Sequence, residues 1–245
     1  MAISLIATKA TDSWSAATTT PALGNHTTTT GTDKVIVAAI AYYDDFTGGT
    51  VSAYTFNSVS GTRVTGTNLL AGGLGVDIWV VTLGSHTGAS CTQSITFSAT
   101  TLVGFVTLYE LDGVDQTTPG VHGGTSSGGS GTQPSITIAA VAAGEFTLDT
   151  VSGFSGIGPP TVGADQTLVL DGNLGGVRGY SSYDATSTGS VVQSYTNDTG
   201  SNSMCGCSFA VASGGGGGGG SPGHGIEGEL AAMGWCLPLG LNFRG

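Results

Sequence analysis

Val35 to Tyr43, reading Val-Ile-Val-Ala-Ala-Ile-Ala-Tyr-Tyr, is an apolar run without a polar interruption. It falls well short of the roughly 20 residues that cross a bilayer. Begun at Lys34, this β-branched stretch predicts a central strand covered on both faces. Gly75 to Leu83, closed by Gly84, reads the same way, as do Leu102 to Leu111 and Cys205 to Val211. These four runs form the expected centre of a sandwich.

Weaker alternating segments lie between them: Val51 to Val59, Ser94 to Phe97, Ser135 to Val141, Glu145 to Val151, Thr167 to Leu170, Val177 to Tyr183 and Ser190 to Tyr195. Thr47-Gly48-Gly49, Asp171-Gly172-Asn173 and Asn197-Asp198-Thr199-Gly200 read as turns between strands. No helical periodicity persists over three turns, apart from a short helical piece expected at Ile226 to Met233. The predicted class is therefore all-β: a two-sheet antiparallel sandwich, jelly-roll or lectin-like, with an irregular glycine-rich C-terminal tail.

Composition agrees. Forty-four glycines and abundant Thr suit short strands and tight turns, and 39% hydrophobic residues are enough for a core. Only 9% of residues are charged, and the net charge is −11. With Lys9, Lys34, Arg63, Arg178 and Arg244 as the fixed cations, no basic patch can be assembled, which argues against nucleic acid as a partner. An acidic, hydroxyl-rich surface also repels anionic membranes and suits neutral glycans or other protein subunits.

Two low-complexity stretches interrupt the strands. Gly120 to Gly131 reads as a flexible loop, with a linker between two half-domains as the alternative. Gly214 to Gly220 is seven consecutive glycines. Its plain reading is a tether, marked by Gly214, Gly217 and Gly220, and its alternative is a polyglycine helix packed against copies of itself in a trimer. After it, Leu230, Met233, Trp235, Leu237, Leu239 and Phe243 concentrate apolar side chains in a peptide too short for its own core. That peptide must dock, on a sister subunit, on another protein or back on its own domain. The expected organisation is a sandwich over 1–213, a tether over 214–225 and a docking tail over 226–245.

Few residues suggest chemistry. His26, His86, His122 and His224 sit in Gly- or Thr-rich contexts typical of loops, and no Gly-x-Ser-x-Gly elbow is present. No catalytic residue is assigned. Glu110 and Asp112, two apart on a predicted strand, would face the same way; they are read as the solvated or hydrogen-bonded end of a strand leading into the Asp115 turn, with glycosidase chemistry as the alternative to test. Asp44 with Asp45, and Asp112 with Asp115, are read as turn caps, calcium binding being the alternative. Cys91, Cys205, Cys207 and Cys236 lack zinc-ligand spacing, so a reduced structural role is expected, with a disulfide through Cys91 or Cys236 as the alternative. No metal or cofactor is expected. Tyr180, Tyr183 and Tyr195 could stack on sugars, or equally could be cross-strand pairs.

Three stretches carry a resemblance: Val35 to Tyr43, Val76-Asp77-Ile78-Trp79-Val80-Val81-Thr82-Leu83-Gly84, and Leu111-Asp112-Gly113-Val114-Asp115-Gln116-Thr117-Thr118-Pro119. Together they resemble an uncharacterised class of β-sandwich display module found in phage structural proteins and bacterial surface proteins. The resemblance implies display or adhesion without catalysis, and it transfers no functional residues. The residues from Met1 to Lys9 lack a basic leader, so export is not expected, which favours a virion component assembled in the host cytoplasm. The resulting expectation is a non-enzymatic virion structural protein at the virion surface, a capsid decoration, head fibre, tail fibre or tail tip. Its partners would be other virion proteins or copies of itself. A receptor-recognition adhesin binding a host-surface glycan is the alternative, and a polysaccharide-degrading enzyme a minor one.

Overall fold

The computed structural model describes residues 2–154, 159–196 and 200–213. Met1–Ser213 make one compact unit. The expected tether and docking tail, the expected helical piece at Ile226 to Met233 and the expected turn at Asn197 to Thr199 lie outside the described residues.

The strands, in chain order, begin with β1 (Ser4–Trp14), β2 (His26–Thr27), β3 (Gly31–Tyr43), β4 (Val51–Phe56), β5 (Val59–Ser60), β6 (Thr62–Arg63) and β7 (Leu69–Ala71). Next come β8 (Leu74–His86), β9 (Ser90–Cys91), β10 (Gln93–Phe97), β11 (Val103–Asp112), β12 (Gly120–Gly128) and β13 (Ser135–Val141). The last are β14 (Phe146–Phe154), β15 (Thr161–Val162), β16 (Thr167–Leu174), β17 (Val177–Asp184), β18 (Gly189–Thr196) and β19 (Asn202–Phe209). All the pairings between them are antiparallel, and no helix occurs among the described residues.

The expected sandwich occurs twice. One inner sheet runs β1-β11-β3-β8-β6 with β7 also on β8, and the other runs β12-β19-β14-β17-β16. In each sheet the first strand of the half lies beside its last, the last beside its third, and the third beside the second strand of a hairpin, β7–β8 or β16–β17. Each half also has a small outer sheet, β10-β4-β5 in the first and β13-β18-β15 in the second. The hairpins β7–β8 and β16–β17 turn through Gly72-Gly73 and Gly175-Gly176, all with positive φ, as a two-residue turn of this hand requires.

The two inner sheets stack face to face, so the molecule has four layers and both inner sheets are covered on both sides. Strand β3 shows why its sequence is continuously apolar. Ile36, Ala38, Ile40 and Tyr42 face the first outer sheet, packing with Val51, Tyr54, Phe56, Ile95 and Phe97. Val35, Val37 and Ala39 face the second half, packing with Phe146, Leu148, Cys205, Cys207 and Phe209. Each large side chain buried this way contributes about 1.5–3 kcal/mol. The third layer of packing, between the second inner and outer sheets, holds Ile136, Val151, Tyr180, Tyr195 and Met204.

Close contacts between the halves depend on missing side chains. The Phe105 ring of the first half lies over Gly172 and Gly179 of the second, where an added Cβ would sit 2.5 Å and 2.3 Å from ring atoms. Asp171-Gly172-Asn173 is therefore not the expected turn but part of β16, and the chain turns at Gly175-Gly176. Likewise Gly120 to Gly131 is not a flexible loop. Its first nine residues are β12, paired with β19, and this strand opens the second sandwich. Gly123 passes so near the Thr65 carbonyl that a Cβ would lie 2.1 Å from its oxygen. Polar bonds add to this interface: Ser152 Oγ donates to the Tyr42 carbonyl at 2.8 Å, and the Tyr109 and Ser181 hydroxyls are 2.5 Å apart.

Candidate functional site

The ionisable side chains cluster within the layers. The tightest cluster sits at one end of the first inner sheet, where Val35 of β3 pairs with Leu111 of β11. That register sets Lys34 beside Asp112 with Glu110 on the same side, so the two carboxylates do face the same way. Both converge on Lys34, which is not a solvated cation but wholly buried. Its Nζ lies 2.5 Å from Glu110 Oε1 and 2.9 Å from Asp112 Oδ1. Glu110 Oε1 also accepts from the Thr29 backbone N–H at 2.9 Å and from Thr29 Oγ1 at 2.5 Å. Burial works to raise the Glu110 carboxyl, but Lys34 and Thr29 together hold it below its usual range. Glu110 Oε2 is buried and accepts no hydrogen bond from the described residues. Gly31 leaves the room that Asp112 fills, since a Cβ there would lie 2.3 Å from Oδ2. Of the two carboxylates, Glu110 is wholly enclosed and Asp112 reaches solvent.

Each sandwich buries one further carboxylate between its inner and outer sheets. Asp77 in β8 accepts two hydrogen bonds from Arg63 Nε, at 3.1 Å and 3.0 Å, and one from Asn68 Nδ2 at 3.1 Å. The Arg63 guanidinium lies 5.0 Å from the Trp79 ring centre. Asp149 in β14 is held by neutral donors instead. The Tyr195 hydroxyl donates to Oδ1, Ser182 Oγ donates to Oδ2 at 2.7 Å, and Gln166 Nε2 approaches Oδ2 at 3.3 Å. Burial raises both carboxyls to about 7, against Arg63 in the first case and Tyr195 with Ser182 in the second.

Other aspartates cap turns. Asp44 accepts from the backbone N–H of Phe46 at 3.0 Å and of Gly49 at 2.8 Å. Asp115 accepts from Thr117 and Thr118, each at 2.8 Å, and these bonds lower its carboxyl pKa. Asp45 accepts from the Tyr43 hydroxyl at 3.0 Å. Among the described residues no group of three or more His, Cys, Asp or Glu side chains could hold a metal ion.

The expected glycan-stacking tyrosines are not at the surface. Tyr180 and Tyr195 are both 0% exposed, because β17 lies in an inner sheet and β18 turns Tyr195 toward it. Their rings meet edge to face at 4.7 Å, the cross-strand alternative. Tyr183, half-buried, stacks on Phe146 at 5.1 Å. The histidines are not in loops either: His26 is in β2, His86 ends β8 and His122 is in β12. His26 Nε2 lies 2.9 Å from Asp12 Oδ2 and 2.8 Å from Gln93 Nε2, while Thr28 Oγ1 is 2.6 Å from His86 Nε2. Cys91, Cys205 and Cys207 are buried free thiols, and burial pushes the Cys205 and Cys207 thiols up. His224, Cys236, the tether glycines Gly214, Gly217 and Gly220, and the docking residues Leu230, Met233, Trp235, Leu237, Leu239 and Phe243 lie outside the described residues.

An open groove of about 230 Å³ lies where the first inner sheet meets the connection into the second half. Thr62, Arg63, Thr82, Gln116, Thr117 and Thr118 line it with hydroxyl, amide and guanidinium groups. Comparisons with protein-family models, curated proteins and solved structures return no match.

Proposed function

We propose that this chain is a non-enzymatic structural protein of a phage particle. It would belong with the β-sandwich display modules of phage structural and bacterial surface proteins. Its doubled sandwich is displayed on a capsid or tail, and its C-terminal segment joins it to other virion proteins or to copies of itself. The observation that supports this reading is the engagement of charged groups inside the stack. Lys34, Glu110, Arg63, Asp77, Arg178, Asp171 and Asp149 all hold strands together, and the turns are capped by further aspartates. A stiff body with a hydroxyl-rich exterior suits display.

The tail is the testable part. Light scattering should find full-length protein in an assembly and a truncation ending at Ser213 as a monomer. A monomer in both would remove the assembly role from the tail.

Recognition of a neutral host-surface glycan is a second reading, and the groove lined by Thr62, Gln116 and Thr118 favours it over the buried tyrosines. A glycan array should then show hits that Gln116→Ala weakens. An array without hits disposes of it.

A further inference from the structure

The Lys34 cluster has features that an ordinary ion pair does not need. A wholly buried amine touches two carboxylates on the neighbouring strand, and the two carboxylates are held differently. Glu110 Oε1 is fixed by Thr29 and by a directed bond from Lys34. Asp112 Oδ1 lies 2.9 Å from Nζ yet accepts no directed hydrogen bond, and its side chain keeps 21% exposure. An amine 2.9 Å from a carboxyl oxygen, with both side chains held by paired strands, is already brought up to the group it would attack.

We propose that Lys34 and Asp112 join in an intramolecular amide bond, with Glu110 moving the protons. The Lys34 ammonium gives a proton to Glu110, which leaves Nζ with a free electron pair. Nζ attacks Asp112 Cγ and forms the N–C bond. Glu110 returns its proton, and a second from nitrogen follows, to the oxygen that departs. The Cγ–O bond breaks and water leaves toward solvent on the exposed side of Asp112. Two protons and one oxygen are lost as water, the nitrogen keeps one hydrogen, and Glu110 ends as it began. No oxidant, cofactor or metal takes part.

Asp112, and not Glu110, is the electrophile, because Glu110 is pinned as an acceptor by Thr29 and is fully enclosed, leaving its water no exit. The bond would tie β3 to the end of β11, one residue before the chain leaves toward the second sandwich through Gly113 and Val114. Load passing along that connection would then be carried by a covalent bond. This proposal goes beyond the display reading and stands or falls without it.

Intact mass of the full-length protein, measured after denaturation, tests it. The expected mass is lower than the sequence mass by one water. Lys34 should resist trypsin, and fragmentation should find the peptides of Lys34 and Asp112 joined. Lys34→Arg and Glu110→Gln should each restore the full mass, with circular dichroism confirming the fold. Asp112→Asn, which keeps the shape of the site, should lose ammonia in place of water. A wild-type protein at its full sequence mass overturns the proposal. So does a water loss that survives Lys34→Arg, which would mark a cyclic imide at the Asp112-Gly113 step, or a water loss that persists in Asp112→Asn.

Discussion

The two sandwiches share a strand order but stabilise it by different chemistry. In the first, the pair Val35–Leu111 is followed outward by Lys34 and Asp112, with Glu110 alongside. In the second, the matching pair is Phe146–Phe209, and the matching neighbours are Glu145, Ala210 and Ser208. The ionic cluster belongs to one half only. The same contrast recurs deeper in. Asp77 of the first half faces the Arg63 guanidinium, while Asp149 of the second is satisfied by Tyr195, Ser182 and Gln166. Cations can neutralise a buried carboxylate at the cost of their own desolvation, whereas neutral hydroxyls and amides avoid that cost but leave the charge uncompensated.

The largest effect should come from breaking the cluster in the first half. Lys34→Met removes the Nζ that donates to Glu110, leaves that carboxylate buried without this partner, and should cost about 3–5 kcal/mol, read as a lower urea midpoint. The counterpart change, Ser208→Ala, removes a buried hydroxyl that has no hydrogen-bond partner among the described residues. It should shift stability by less than about 1 kcal/mol.

Acidity should sharpen the contrast between the two buried carboxylates. Asp77 and Asp149 both have carboxyls raised to about 7 in the folded protein. The folded state therefore holds more protons than the unfolded state between about pH 4 and pH 7, and stability falls as pH rises through that window, by up to about 1.4 kcal/mol per unit for each group. Glu110, Asp115 and Asp184 are lowered and act oppositely: their contribution is present above the ordinary carboxylate range and is lost on stronger acidification. Urea midpoints from pH 4.5 to 8.5 should decline toward alkaline pH. Asp149→Asn should flatten the decline, whereas Asp77→Asn should flatten it while exposing the cost of an unpaired Arg63.

A smaller effect is expected where the halves meet. Gly179→Ala drives a methyl into the Phe105 ring and should cost about 1–3 kcal/mol, as should Gly104→Ala beneath Trp14 within the first half. Equal costs would mean that the junction between the sandwiches is packed as tightly as a sandwich interior. The smallest effect is at the tip after β3, where Phe46 is 70% exposed at a φ of 62°. Phe46→Gly should change stability by no more than about 1 kcal/mol, because relief of the left-handed backbone offsets the lost ring contact with Tyr43.

What could be read in the sequence follows from which strands are covered on both faces. Val35 to Tyr43 and its companions stood out because burial on two sides demands continuous apolarity, and Ser135 to Val141 stood out because an outer strand alternates. The doubling was illegible, because the second half replaces the Val and Ile of β3 with Thr, Ser, Cys and Gly in β14 and β19. β12 looked like a loop for the same reason that it fits: its glycines allow the Thr65 backbone to approach. The site was half legible. Glu110 and Asp112 are spaced to share a face, but nothing in the spacing of Lys34, 76 residues away from Glu110, tells that it meets them. Tyr180 and Tyr195 looked like surface residues because nothing in their alternation announces a further layer beyond them.

The shared inner core is the claim on which the rest depends. Trp14 and Trp79 both lie in the first sandwich, so Trp235→Phe confines tryptophan fluorescence to that half. Urea unfolding of this variant, followed by fluorescence and by far-ultraviolet circular dichroism, should give one coincident transition, because neither half can expose its inner sheet alone. A fluorescence transition separated from the dichroism transition would show the sandwiches unfolding independently and would contradict a common core.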